Sequence, residues 1–359
     1  MRIGVDFHTW DGIYQGSRSH ILGLYKAAIT AFPEIDFYFF GSNLGTLLKQ
    51  HPEFAGRNAH LVEMRRAPAV WRLLFQLPFL SFKFDLDALH TQYRIPFISK
   101  GISVCTIHDV LVESHPEYFS ARFAILARRM FRYAAKRADV LLTVSDFSKR
   151  EIARLYGRRA SVTHNGVDFA RFSPRALDAN TLKRYGLSEF AYWLSVGRIE
   201  PRKNYVGIIR GWISSGRTDL PLVIVGQRDF RFDDVFVEAE RCGLSGQIRF
   251  LDDVSDSDLP SLYAGCHAFL YLSHAEGFGM PALEALACGA PAIVSDRTSL
   301  PEIAGNVATV VDPMNVQEVG REMARLCRRD SAIESNVEHA KRFSWPSSAQ
   351  TLVMAIRGR

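Results

Sequence analysis

Short apolar runs alternate with segments of helical periodicity along nearly the whole chain. In the first half, "RIGVDF", "DFYFFG", "ISVCTIHD" and "DVLLTVS" are near-continuous apolar runs, the pattern of strands covered on both faces. Between the first two, "SRSHILGLYKAAITAF" places Ile21, Leu24, Tyr25, Ala28, Ile29 and Phe32 on one helical face, so that strand, loop, helix and strand follow in order. The second half repeats the pattern, with "AYWLSVG", "LPLVIVG", "QIRFLDD", "HAFLYLS", "APAIVSD" and "ATVVDP" as strands separated by helical segments. This alternation predicts an α/β chain of parallel sheets with helices on both faces. From Asn165 to Phe190 the sequence loses strand character and carries Pro174 and turn residues, which places a linker there. The predicted organisation is a doubly wound domain over residues 1–170, a second over 171–342, and a helix over 343–359 that follows the aromatic break "FSW". Two such domains leave a cleft at the carboxyl ends of their strands, where a ligand is expected.

A length of 359 residues suits two domains, and the mixture of apolar and charged residues is that of a globular protein rather than a disordered one. Cys105, Cys242, Cys266, Cys288 and Cys327 form no C-x-x-C pair and each falls in an apolar segment, so reduced core thiols in a cytosolic protein are expected. "MRIGVDFHTW" has Asp6 where a signal peptide needs its apolar run, which gives a cytoplasmic expectation. No stretch reaches the roughly 18–20 apolar residues of a spanning helix. The most apolar segment, Ala69 to Phe84, is broken by Arg72, Gln76, Pro78 and Lys83 and is expected to touch a bilayer without crossing it. Charge sharpens this picture: residues 1–168 hold 22 Lys+Arg against 15 Asp+Glu, a net +7, whereas the remainder is close to neutral. Much of the excess lies on helical segments beginning at Arg122 and Ser148, either as a solvated face or as a surface for anionic lipid. No nucleic-acid-binding module accompanies it, so no nucleic acid partner is expected.

Candidate chemistry concentrates after the strand "HAFLYLS", where the turn "HAEGFGMP" leads into "PALEALAC". Pro281 suits a first helical turn and Gly289 a helix end. Gly277 and Gly279 let the backbone approach a ligand closely, and the free N–H groups of the helix start favour an anion such as phosphate. Glu284, near the end of the first turn, can accept hydrogen bonds from a diol such as ribose; an acid favoured by the helix dipole is the structural alternative. Glu276, between a buried strand and the G-F-G turn, has little structural purpose and can face the other end of the same ligand. Arg198 and Lys203 in "SVGRIEPRKN" follow the first strand of the second domain and can neutralise a diphosphate, with ordinary surface charge as the alternative. "VCTIHDVL" sets His108 and Asp109 at the end of a first-domain strand, aimed at the same cleft. Gly12 and Gly16 form a loose glycine loop without the G-x-G-x-x-G of nicotinamide binding, and no phosphate loop, nucleophile elbow or zincin motif is present. The triplets "DLD" (Asp85 to Asp87) and "DSD" (Asp256 to Asp258) arise easily by chance, so neither a metal nor a cofactor is expected.

Together these segments resemble the retaining GT-B glycosyltransferases of family four, which use nucleotide-sugar donors. The resemblance rests on the E-x7-E element from Glu276 to Glu284 in "EGFGMPALEALACGAPAIVSD" and continues through "SLPEIAG", "TVVDP", "FSW", "VGRIEPRKN", "TVSDFSKREI", "HNGVD" and "TIHD" with "PEYF", nearly the whole chain. It implies a GT-B fold: two Rossmann-like domains facing across a cleft, the first binding acceptor, the second binding nucleotide sugar, and the terminal helix crossing back to the first. It also implies that Arg198 and Lys203 hold the donor diphosphate, Glu284 the ribose, and Glu276 the donor sugar, with the backbone of Gly277, Phe278 and Gly279 lining its pocket. His108 would approach the transferred sugar, Gly16 would lie beneath the diphosphate near the acceptor, and Asp253 and Val254 would contact the base. The catalytic set implied is His108, Glu276, Arg198 and Lys203. Two departures stand out: Leu272 replaces the family's usual proline, and the glycine loop is looser than the common double glycine.

As the bond from sugar to phosphate lengthens, negative charge grows on the diphosphate, and Arg198, Lys203 and the helix start would stabilise it without a metal. Retention then suggests transfer on one face, with the leaving phosphate helping to deprotonate the acceptor hydroxyl. "TIHDVLVESHPEYF" and "EPRKN" look most like bacterial mannosyltransferases of surface polysaccharide and lipopolysaccharide synthesis. That likeness implies GDP-mannose as donor, a glycan or lipid-linked sugar as acceptor, and a place at the inner face of the cytoplasmic membrane with peripheral association. A UDP-sugar-dependent transferase and a sugar-nucleotide epimerase are the alternatives, the latter marked by donor consumption without an acceptor-linked product. A non-catalytic paralogue is opposed by intact Glu276, His108, Arg198 and Lys203.

Overall fold

The structure, a computed structural model, describes residues 1–11, 16–326 and 330–359; Gly12 and Cys327 lie outside the described residues. The chain forms two compact units, Met1–Gly166 with Ser344–Arg359, and Val167–Phe343.

In the first unit the strands are β1 (Arg2–Asp6), β2 (Asp36–Gly41), β3 (Ala59–Glu63), β4 (Ala88–Gln92), β5 (Ile102–Thr106), β6 (Val140–Thr143) and β7 (Ser161–Val162). They form a parallel sheet in the order β3-β2-β1-β4-β5-β6-β7, with β1 central because its sequence, apolar on both faces, fits only where both faces are covered. The helix Gly16–Ala31 turns Ile21, Leu24, Tyr25, Ala28 and Ile29 into the core, on the face its periodicity predicts. The helix Trp345–Arg357 adds Ala349, Leu352, Val353 and Ile356 to the same core, so the end of the chain belongs to the first unit. Three strands are not apparent in the apolar pattern. β4 is buried along its whole length yet reads "ALHTQ" because its polar side chains find partners inside: His90 bonds Tyr25 Oη and Thr106 Oγ1, each at 2.8 Å. β3 sits at the sheet edge and is mostly half-buried, and β7 is two residues long.

The second unit holds β8 (Trp193–Val196), β9 (Leu222–Val225), β10 (Ile248–Leu251), β11 (Ala268–Tyr271), β12 (Ala292–Ser295) and β13 (Thr309–Val311), parallel in the order β10-β9-β8-β11-β12-β13. All six coincide with predicted runs. The segment expected to be a linker is largely folded into this unit. Asp178 caps the helix Ala179–Arg184 through the N–H groups of Asn180 and Thr181, Leu182 is buried, and Phe190 N donates to Gly265 O at 2.7 Å. Its turn-rich composition reflects short elements rather than free chain. Cys105, Cys266 and Cys288 are buried and Cys242 half-buried, all as free thiols.

Candidate active site

β11 delivers the chain to the turn that carries the first acid. Glu276 N donates to Thr298 Oγ1 at 2.9 Å, and Ser299 Oγ donates to the carbonyls of Glu276 (2.9 Å) and Phe278 (2.8 Å), so the loop after β12 fixes this turn. Gly279, at φ 110°, occupies the N-cap of the helix Met280–Ala287, a conformation that side chains with a Cβ rarely adopt. Pro281 lies in the first turn, and Gly289 (φ 75°) closes the far end with Ala290 N bonded to Ala285 O at 3.0 Å. Phe278 is buried with its ring edge-on to Phe343. Glu284 is the fifth residue of the helix, beyond the first turn where it was expected, which weakens the dipole explanation for an acid at this position.

Around Glu276 the structure builds a compact charge cluster. Lys203 Nζ lies 2.7 Å from Glu276 Oε1 and donates to Tyr271 Oη at 2.6 Å, and Arg202 Nη1 lies 2.9 Å from Glu276 Oε2. Arg202 is also paired with Glu200 and donates to Ala275 O at 2.7 Å. A short 3-10 turn, Pro201–Lys203, makes this possible by turning two adjacent cations inward. Burial alone would raise the Glu276 pKa, but Arg202 and Lys203 outweigh it and hold the carboxyl down at about 2. Burial depresses the Lys203 ammonium, and Glu276 opposes that shift. Glu276 is thus a buried carboxylate kept ionised by two cations, an arrangement costly to build and suited to positioning charge.

The other expected donor-side residues occupy distinct places. Glu284 accepts from Tyr263 Oη at 3.0 Å, and desolvation pushes its carboxyl up to about 7 despite that bond. Asp253 lines, with Asp252, Arg228, Tyr185, Phe236 and Phe250, an open groove of about 550 Å³, and Val254 follows it in the loop after β10. Arg198 is ion-paired with Asp229 and partly exposed, outside the Glu276 cluster. The structure therefore joins Lys203 to Glu276 and adds Arg202, Tyr271 and Tyr263, which sequence reasoning did not single out. Arg202 was legible only as a neighbour of Lys203 in "EPRKN", and the tyrosines only as strand or helix residues. The acids of the two triplets have local uses: Arg2 N and Lys100 engage Asp87 and Asp85, and Arg184 and Tyr185 hold Asp258.

In the first unit His108 lies two residues beyond β5, buried, with Nε2 2.7 Å from Gln92 Oε1 and its ring edge-to-face with His20 at 4.8 Å. Desolvation, with His20 and His90 nearby, keeps its pKa well below the usual imidazole range, so the ring is neutral. His20, missed from sequence because it looks like one more position on an amphipathic helix, bonds Asn165 Oδ1 at 2.7 Å and is likewise neutral, its pKa lowered by burial to about 4. Asp109 accepts from Leu111 N and from Tyr93 Oη, which gives it a structural use. Gly16 is the first residue of its helix, and among the described residues a Cβ there would meet nothing within 4 Å.

The comparisons agree with these two units. Residues 182–343 match the model for glycosyl transferases group 1, and residues 16–171 match that for Glycosyltransferase Family 4. The chain is 34% identical over 266 residues to the O-antigen chain mannosyltransferase B of Escherichia coli, covering 71% of this chain and 70% of that protein. It is 29% identical over 272 residues to the serotype-specific mannosyltransferase WbdA of Escherichia coli, covering 71% of this chain but only 33% of that longer protein. The structure of Anabaena HepE in complex with UDP and glucose superposes with a TM-score of 0.75 at 20% identity, covering 100% of both chains, which bears on the fold. With two parallel Rossmann-like units, an E-x7-E element built around a clamped carboxylate, and these matches, the chain belongs to the glycosyl transferases group 1 family and is a GT-B glycosyltransferase.

Proposed function

We propose that the protein transfers mannose from GDP-mannose, with retention of anomeric configuration, to a lipid-linked glycan acceptor in bacterial O-antigen or related polysaccharide synthesis. The carrying observation is the Glu276 cluster: a buried carboxylate held by Lys203 and Arg202 just before a helix start preceded by two glycines. In this reading Lys203, Arg202 and the N–H groups at the head of Met280–Ala287 receive the charge that grows on the leaving diphosphate, so no metal is required. Arg198 contributes from the strand end by leaving Asp229 for the phosphate. Glu276 accepts hydroxyl hydrogen bonds from the sugar, the backbone of Gly277, Phe278 and Gly279 lines the sugar's seat, and Glu284 grips the ribose. Asp253 and Val254 meet the base, the Gly16 backbone lies beneath the diphosphate, and neutral His108 donates or accepts at the sugar without drawing charge from it. The acceptor oxygen attacks on the face that the phosphate leaves, and a phosphate oxygen takes its proton. Mannose as the sugar is supported by the mannosyltransferases among the relatives. The deciding experiment offers radiolabelled GDP-mannose, UDP-glucose and UDP-galactose with a bacterial lipid extract: label from GDP-mannose should enter lipid, and Glu276→Gln should reduce that by about 10²–10³-fold. Label entering lipid from a UDP-sugar alone would refute the donor, and sugar conversion without lipid labelling would refute transfer.

A further inference from the structure

Three buried polar side chains end β4, and the fold itself accounts for two of them. His90 uses both ring nitrogens, on Tyr25 Oη and Thr106 Oγ1, and Thr91 Oγ1 donates to Val104 O at 3.4 Å. Gln92 is different. It is 5% exposed, its Oε1 lies 2.7 Å from His108 Nε2, and its Nε2 is buried with no hydrogen-bond partner among the described residues. A buried amide donor left unmet costs more than an apolar side chain of the same size, so Gln92 gains the core nothing, and the one described bond of its side chain goes to His108. An amide oxygen can only accept, so His108 Nε2 carries the proton of that bond. Burial, with His20 and His90 nearby, keeps the ring uncharged. A neutral imidazole holds one proton, and Nδ1 is therefore a bare acceptor with none to give.

The surroundings hold this arrangement in place. The His108 ring meets His20 edge to face at 4.8 Å and Tyr93 at 5.2 Å, and His20 is itself fixed by Nδ1, bonded to Asn165 Oδ1 at 2.7 Å. Tyr93 directly follows Gln92 and takes φ 60°, a left-handed conformation uncommon outside glycine. Three contacts keep it there: its N–H donates to Thr106 O at 2.9 Å, its ring stacks on Phe131 at 4.6 Å, and its Oη donates to Asp109 Oδ2 at 3.2 Å. The ends of β4 and β5 are thereby tied together beside the His108 ring. We propose that Gln92 is a positioning residue for sugar transfer: it fixes His108 as the Nε2–H tautomer, so that Nδ1 accepts a hydrogen bond from one hydroxyl of the transferred sugar. The oxygen of that hydroxyl stays free to accept from a second donor, which sets its orientation. The sugar as the partner of Nδ1 rests on the function proposed above; the tautomer rests on Gln92 alone.

The tautomer is read in the full chain carrying isotope-labelled histidine, from long-range proton–nitrogen correlations that separate a protonated from a bare ring nitrogen, with His108→Asn assigning the signal. Nε2 of His108 is expected to be protonated and Nδ1 bare, and Gln92→Leu, which has no acceptor, should populate both tautomers with its circular dichroism unchanged. A parent ring protonated on Nδ1, or a Gln92→Leu ring that keeps the parent pattern, would overturn the assignment; the parent spectrum decides even where the variant fails to fold. The sugar contact is read from calorimetric Kd values for GDP-mannose and for its singly deoxy and deoxyfluoro analogues. At one hydroxyl position the deoxy analogue should bind the parent about fivefold more weakly, and the fluoro analogue as weakly, because fluorine cannot donate. In His108→Ala that loss should vanish, and in Gln92→Leu it should shrink. Affinity restored by fluorine at that position, or a loss in Gln92→Leu as large as in the parent, would overturn the contact. A purely structural Gln92 would lower the melting temperature and move neither the ring-nitrogen signals nor the analogue pattern. GDP-mannose failing to bind would remove the sugar contact together with the proposed donor and leave the tautomer to the ring-nitrogen signals. The wrong tautomer with normal GDP-mannose binding would sink this inference and leave sugar transfer standing.

Discussion

Glu276 and Glu284 are the same residue type eight positions apart, and their surroundings drive them in opposite directions. Arg202 and Lys203 hold the Glu276 carboxyl at about 2, whereas desolvation lifts that of Glu284 to about 7. Removing Glu276 leaves two inward cations with only Glu200 to balance them, so Glu276→Ala should cost about 3–5 kcal/mol of stability, read as a lower urea midpoint. Glu276→Gln, which keeps the shape, is accordingly the better probe of chemistry. For Glu284 the sign is reversed. Its folded pKa lies above its unfolded value of 4.5, so its protonated form favours the folded state; that contribution is full below about 4.5 and is lost as pH rises through about 7. With Glu284 gripping the ribose as proposed, donor binding should respond the other way, because the ionised carboxylate is the form that accepts from both hydroxyls: the KM for donor should fall as pH rises through about 7. Glu284→Gln should flatten both profiles, in thermal melts and in initial rates. Neither behaviour can be read from the letters E-x7-E, since both depend on neighbours supplied by distant strands.

At the scale of elements, the second sheet was legible because β8, β9, β11 and β12 are apolar runs buried along their whole length and the edge strands β10 and β13, only partly covered, still carry mainly apolar side chains. β4 was illegible because its buried polar residues are satisfied only by Tyr25 and Thr106 on other elements. The helix Met280–Ala287 was legible from Pro281 and Gly289, but its start depends on Gly279. A Cβ at Gly279 would force φ 110° on a residue that resists it and would lie 2.6 Å from Leu300 Cδ2. Gly279→Ala should therefore destabilise the protein by about 1–3 kcal/mol and weaken donor binding by disturbing the turn. Calorimetry and nucleotide titration on the same sample check the two effects separately. The turn Pro201–Lys203 shows the reverse limit: a sequence of ordinary surface character, whose 3-10 geometry puts Arg202 and Lys203 on one buried acid.

For the whole molecule, the terminal segment decides the integrity of the first unit. Ala349, Leu352, Val353 and Ile356 are buried in its core, Ser348 Oγ donates to His164 O at 2.6 Å, and Trp345 packs against Gly23 and Gly166. Deleting Ser344–Arg359 removes several large buried side chains at about 1.5–3 kcal/mol each, a loss of the same order as the net stability of a domain. The truncated chain should show a first unit that melts early or fails to fold while the second retains its transition, as two-probe denaturation would reveal. A result in which both transitions persist would contradict this placement of the core. Among the described residues no helix is long and apolar enough to cross a membrane.

The amino-acid sequence by itself determined the alternation of strand and helix, the second sheet in full, the face that the helix Gly16–Ala31 buries, and the motif that identifies the family. These depend on local periodicity and on turn chemistry, which are written along the chain. Only the tertiary structure decided which cations meet Glu276, why Glu284 resists ionisation, which polar strand is buried, and that the apolar segment is half core and half surface. Those outcomes rest on desolvation and on partners far apart in sequence, whose positions are set when the sheets assemble.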